Sequence, residues 1–424
     1  MEDWQIVSIA VLLLYLFFRK RVWGWLDPLF LFLAIRIATA ITVSGQYLFR
    51  PDLTAPGVLH MTLCLFVFTI SLWVCSPKIK PQKISESDGS AQAHYLLGIG
   101  LAVLACKLLI MLSVFNQLPL IIGETGSDSY IEFDLNNKVA SSLLLGIGSF
   151  DIVLLACCTP LLKSNKEKNW GWVALIISIV LSIAAPKKGT LLIVIFSIAL
   201  GEYLRIYFFN TKTRVFTRPA LMSIGILIGL GWAYFIYVST LGAVDFESMN
   251  SALNFVWYQF MHPYSMYASG EIYDFAVNYQ FNPFLYFFHT LSSVIGYPAF
   301  SASIGPSLHE DYTGMLSGHG VNPTFIIEGY IVFGKIMSVF YALFLGTLLG
   351  LVRRRLLKPS KAVGKNIALT ALLLPPLYII PIDSLLAIKI MIVCFLLIAC
   401  YIVVTEPMRV IMTICHPVGS EDPR

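Results

Sequence analysis

The chain has 424 residues, of which 57% are hydrophobic, 13% aromatic and only 12% charged. That balance excludes an ordinary soluble domain, which is near half apolar and about a quarter charged. The formal charge of +5 carries no nucleic-acid signature, because the cations lie in short stretches between apolar runs.

Those runs match the hydrocarbon core of a bilayer, which takes about 20 helical residues to cross. They predict an all-α polytopic membrane protein of about eleven spans, near 3–18, 26–45, 57–75, 95–115, 139–162, 170–186, 189–208, 219–240, 325–351, 366–382 and 385–404. In lipid every backbone amide must be satisfied internally, so each run is a helix. The first run is followed by Arg19, Lys20 and Arg21, the wrong flank for a signal peptide, and reads as a permanent span. Most of the eight cysteines, such as Cys64, Cys106, Cys157 and Cys158, fall inside the runs and read as small hydrophobes.

Alternate loops are basic. The set beginning with 19–21 holds, with Arg205, Arg409 and Arg424, 21 of the 29 Lys and Arg residues. The opposite set carries Arg50, Lys138, Lys187 and Lys188, and four cations lie inside runs. The positive-inside tendency then places the N-terminus outside and the C-terminus in the cytoplasm. Three regions follow: spans 1–8 with short loops over 1–240, a large extracytoplasmic loop with interfacial helices over 241–324, and spans 9–11 with a cytoplasmic tail over 325–424. No internal repeat of the kind found in many transporters is visible.

Inside the runs lie Arg36, Lys107, Lys335, Lys389 and Asp151. An ionisable group in lipid costs a few kcal/mol, so it pairs, snorkels or faces a polar cavity. Lys335 and Lys389 read as snorkelling residues or span edges. Arg36 and Lys107, deep in their runs, are the functional candidates, with a structural ion pair as the competing reading.

Between two expected outer span ends stands Pro186-Lys187-Lys188-Gly189. It is either a solvated tight turn or an anion site in which both lysines and the amides of a following helix attract a phosphate or diphosphate. The loop 241–324 has no Lys or Arg, six acidic residues, four of the seven histidines and many aromatics. It is too aromatic and apolar for disorder. Rings with scattered carboxylates and amides suit carbohydrate, and equally an interfacial belt.

The loop closes on Gly318-His319-Gly320-Val321-Asn322-Pro323-Thr324-Phe325-Ile326-Ile327-Glu328-Gly329-Tyr330. Glycines around a histidine permit close approach of a bulky ligand, and His319 is the available general base. Glu328, about one helical turn inside, orients it or is itself the base; a capping turn with an incidental histidine is the plainer reading. Asn322 is a substrate contact, as is His309, which with Glu310 and Asp311 is also a secondary base candidate. His262 and His289 read as packed residues. No HExxH, paired-cysteine spacing, DxD or GxxxxGK[ST] occurs, so neither a metal nor another cofactor is expected.

Ten or more spans, a late aromatic loop, the stretch Ala185-Pro186-Lys187-Lys188-Gly189-Thr190-Leu191-Leu192 and the junction GHGVNPTFIIEGYIVFGKI together resemble the O-antigen polymerase (Wzy) family. The resemblance implies a metal-independent glycosyltransferase with a membrane-embedded C-type fold in the bacterial inner membrane. Its substrate would be oligosaccharide repeat units on undecaprenyl diphosphate, handled on the periplasmic face. The bilayer and a candidate chain-length regulator protein are its other partners, with no nucleic acid. Under this resemblance Lys187 and Lys188, supported by Arg36, hold the donor diphosphate, and His319 or Glu328 accepts the acceptor's proton. The loop's lack of arginine departs from the family pattern, and lysines lack bidentate geometry. An O-antigen ligase, or a lipid-linked oligosaccharide flippase or a proton-coupled carrier using Arg36, Lys107 and Asp151, is the alternative.

Overall fold

A computed structural model describes residues 3–22, 28–49, 56–78, 89–115, 150–184, 261–279 and 324–356, with isolated positions 304, 308, 387, 392, 395, 396 and 399. These residues are helical throughout apart from turns, and no strand occurs among them. The helices are α1 (Asp3–Phe18), α2 (Pro28–Leu48), α3 (Val58–Cys75), α4 (Gly89–Phe115), α5 (Phe150–Leu161) and α6 (Asn165–Ala184). They continue with α7 (261–269), α8 (Glu271–Tyr279) and α9 (Phe325–Leu356).

Among the described residues three helices are long and apolar enough to cross a membrane: Val58–Cys75, Ala93–Leu112 and Phe325–Arg355. Their outward faces are apolar. On α3, Leu59 (83% exposed), Leu63 and Phe66 point away from the core, as do Ile336 (75%), Phe340 and Phe344 at i, i+4, i+8 on α9. A soluble monomer rarely exposes such continuous apolar surface, whereas acyl chains cover it without cost. The pattern is that of a membrane protein. The expected spans 189–208 and 219–240 and the first half of 139–162 lie outside the described residues, as do 366–382 and all but isolated positions of 385–404.

The helices pack in two groups. In one, α4, α5 and α6 meet, with Gly100 fitting against Leu155 and Gly171 against Thr159. In the other, α1 packs on α2, α2 on α3, and α3 on α9. The α3–α9 contact is close because α9 carries Ala342, Gly346 and Gly350 at four-residue spacing. A Cβ on Gly350 would lie 2.5 Å from the Cys75 Cβ, and one on Gly346 would overlap the Ser71 hydroxyl and the Phe68 carbonyl. Small residues at this spacing let two backbones approach, the main route to helix association in lipid. The chain ends of α1, α3 and α9 come together: the Arg21 guanidinium donates to the Ser76 carbonyl and lies 4.2 Å over the Trp73 ring, and Arg353 donates to the Arg21 carbonyl at 2.8 Å.

The apolar run 325–351, expected as one span, is two helices. Gly334 has φ 77° and ψ 177°, a conformation open to glycine alone, and there the chain doubles back. A Cβ on Gly329 would lie 3.2 Å from the Ser338 Cβ, and the Phe333 and Tyr341 rings are 5.1 Å apart. In a straight helix eight residues would separate that ring pair by about 12 Å along the axis. The short limb 325–333 starts beside Phe68, where Phe325 stacks at 4.6 Å, and rises to bring Tyr330 near His60. The long limb 335–356 then descends along α3 to Cys75. At about 1.5 Å per residue it is roughly 33 Å long, enough to cross by itself.

Candidate functional site

The reversal assembles a polar junction at the ends of α3 and α9 remote from the arginines. Helix α7 is embedded there, with Tyr264, Tyr267 and Ala268 fully buried. It is held at its end: the Gly57 amide donates to the Ala268 carbonyl at 3.2 Å, and Gly270 closes the helix at φ 92°. Left-handed backbone at a helix end is glycine's usual place.

At the centre is His60. Its Nε2 is 2.7 Å from the Lys335 carbonyl and 3.1 Å from the Ser338 hydroxyl. A carbonyl only accepts, so Nε2 carries the proton, and Nδ1 accepts from the Tyr267 phenol in a short bond. Both ring nitrogens are engaged, so His60 is a neutral joint fastening α7 to the hinge of α9. Burial pushes the Tyr267 phenol well above its ordinary range, which keeps it a donor. Above this joint the rings of Tyr267, Tyr273 and Tyr330 meet at 4.9–5.9 Å. Tyr273 and Tyr330 are half-buried, and the Tyr273 hydroxyl donates to the Pro56 carbonyl at 3.3 Å.

Below it lie the expected site residues that the structure describes. Glu328 is buried on the short limb, where the Tyr341 hydroxyl donates to its Oε1 at 3.3 Å. Thirteen residues separate these two in sequence, and only the reversal lets them touch. The limb is capped by Thr324, whose Oγ1 accepts from the Ile327 amide at 3.5 Å. Arg36 is buried on α2 in the electrostatic field it shares with Tyr264, one turn before Tyr267. Burial pushes the Tyr264 phenol up to about 12, with Arg36 pulling against it. The Tyr264 hydroxyl has no hydrogen-bond partner among the described residues. His319, Asn322, His309, Lys187 and Lys188 lie outside the described residues.

A second buried polar group binds the other helices. Lys107 of α4 lies 3.5 Å from Asp151 of α5, at 3% and 0% exposure, and Ser178 of α6 donates a short bond to the same carboxylate oxygen. The Ile152 amide occupies the other oxygen at 3.0 Å. Of the two readings of Lys107, the structure carries the ion pair. Lys335, in contrast, is exposed at the hinge.

His60, Ser338 and Tyr341 carry no sequence signal, since their partners stand up to 278 residues away. Tyr264 and Tyr267, three apart, do mark one face of a helix. No three metal-ligating side chains converge among the described residues. No family model, curated protein or solved structure matches the chain.

Proposed function

We propose that this protein polymerises undecaprenyl-diphosphate-linked oligosaccharide repeat units into a surface polysaccharide at the extracytoplasmic face. The observation that carries the reading is the buried carboxylate Glu328, set by Tyr341 beneath an aromatic platform and within the same helical group as the buried Arg36. An acid or base held in a membrane protein at such cost is a functional candidate by default. Half-buried Tyr273 and Tyr330 offer ring faces to sugars, and the Tyr264 hydroxyl beside Arg36 offers a donor to an anionic or hydroxyl group.

In this reading the acceptor sugar hydroxyl attacks the anomeric carbon of the growing chain. The new glycosidic bond forms as the bond to the lipid diphosphate breaks, and the diphosphate leaves with the electron pair. The proton passes to Glu328, or to His319. Lys187 and Lys188, with Arg36, stabilise the departing charge, and such stabilisation accounts for most of the acceleration in a transfer of this kind. A positioned general base contributes about 10²–10⁴-fold.

Deletion of the gene should leave lipopolysaccharide core bearing a single repeat unit, with the long ladder restored by the wild-type chain and not by Glu328→Gln. Complete loss of the repeat unit would instead favour the ligase or the flippase. A normal ladder from inserted Glu328→Gln protein would remove Glu328 from the mechanism.

A further inference from the structure

His60 takes no part in the proposed chemistry, yet its buried ring joins the two structures on which that chemistry depends. Through Nδ1 it holds the Tyr267 phenol, and the Tyr267 ring in turn packs edge-on against Tyr273 at 85° and Tyr330 at 84°. Through Nε2 it holds the first turn of the long limb of α9. The Lys335 carbonyl accepts from Nε2 at 2.7 Å, and the Ser338 hydroxyl, 3.1 Å from the same nitrogen, donates to that carbonyl at 2.8 Å. One turn further on, Tyr341 reaches Glu328. The two arms meet again on the short limb, where Glu328 and Tyr330 stand two residues apart.

From this geometry we infer that His60 is the positioning residue of the site: its Nδ1 sets the tyrosine platform through Tyr267, and its Nε2 sets Glu328 through the hinge. The transfer it serves rests on the polymerase reading, whereas the two arms rest on the contacts alone. Association of α3 with α9 does not need the joint, since Gly346 and Gly350 supply the close contact at the other end of the pair. A buried, satisfied polar network adds a single fixed arrangement to such a contact. The chemistry of the ring suits the task. The Lys335 carbonyl only accepts, and a neutral imidazole meets it with a donor while its other nitrogen, across one rigid ring, accepts from Tyr267. The limb that carries Glu328 also turns on Gly334, where nothing lies within 4 Å of a Cβ position, so packing at the hinge itself does not fix the angle.

Two substitutions each keep half of the ring. In His60→Asn the amide oxygen stands where Nδ1 was and the donor at Nε2 is lost; in His60→Gln the amide nitrogen stands where Nε2 was and the acceptor at Nδ1 is lost. With the full chain and lipid-linked repeat units in liposomes, His60→Asn should lower kcat about tenfold with KM little changed. His60→Gln should raise KM about tenfold with kcat little changed, each the worth of one buried hydrogen bond. Hydrogen–deuterium exchange of the full chain in detergent needs no turnover: protection should fall across 325–333 in His60→Asn and across 261–269 in His60→Gln. A wild type that makes no polymer while its variants show this divided loss would support the two arms and strike the polymerase reading alone. Equal changes of kcat and KM in both variants, or exchange that rises alike in both segments, would overturn the inference and leave His60 an ordinary structural joint.

Discussion

Replacing Gly334 by Ala tests the reversal with a change of sign. Nothing lies within 4 Å of the position a Cβ would take, so the methyl group meets no neighbour. The whole effect is therefore backbone strain. At φ 77° and ψ 177° a residue with a Cβ costs about 1–3 kcal/mol. In a continuous helix the same change would stabilise by about 0.8–1 kcal/mol, because Ala is the better helix former. Unfolding of the purified protein in detergent by a graded denaturant separates the two outcomes. The expected result is a loss of about 1–3 kcal/mol. A gain would refute the doubled-back chain, and with it the contact between Glu328 and Tyr341. A cysteine pair at Gly329 and Ser338, whose Cβ positions lie 3.2 Å apart, gives an independent reading: oxidation should link the two within one chain, as detected by mass spectrometry of the joined peptide.

Three further outcomes follow from buried groups. Asp151→Ala should destabilise the protein by about 3–5 kcal/mol, since it leaves Lys107 buried without its counter-charge; changing both residues to apolar ones of similar size should recover most of the loss in the same unfolding assay. Tyr267→Phe should cost about 1–3 kcal/mol by leaving Nδ1 of His60 an unsatisfied acceptor, and limited proteolysis should then find new cleavage near α7. Gly350→Val should separate α3 from α9 and cost about 1–3 kcal/mol through overpacking against Cys75, whereas the same change on an outward face, at Ala102, should be nearly silent in denaturant unfolding.

Helix positions were the legible part. The runs 3–18, 57–75 and 95–115 correspond closely to α1, α3 and α4 because run length and polarity are set by the bilayer, a constraint each segment meets alone. The reversal at Gly334 is different. Glycine is common in membrane helices, so an apolar run that turns back reads the same as one that continues. The local mark was Lys335, a charge in mid-run, and its exposed place at the hinge accounts for it. The close crossing of α3 and α9 had a mark as well, the Gly346–Gly350 pair, but its partner helix is not specified by spacing. Least legible was the junction itself: a histidine at the head of one run, a tyrosine more than 200 residues on, and a carbonyl freed by a hinge share no sequence pattern. Arg36 stood out in sequence as a charge deep in an apolar run, and Glu328 as a carboxylate about one turn inside the helix that follows His319; both prove buried.

The most direct test of the account is polymerisation by the purified protein. Lipid-linked repeat units isolated from the deletion strain would be supplied in liposomes with the wild-type chain or the Glu328→Gln chain, with a metal chelator present. The account expects diphosphate-linked products of two and more units from the wild type, falling by about 10²-fold or more in Glu328→Gln. Repeat units that remain single, or that merely cross the bilayer unchanged, would contradict it.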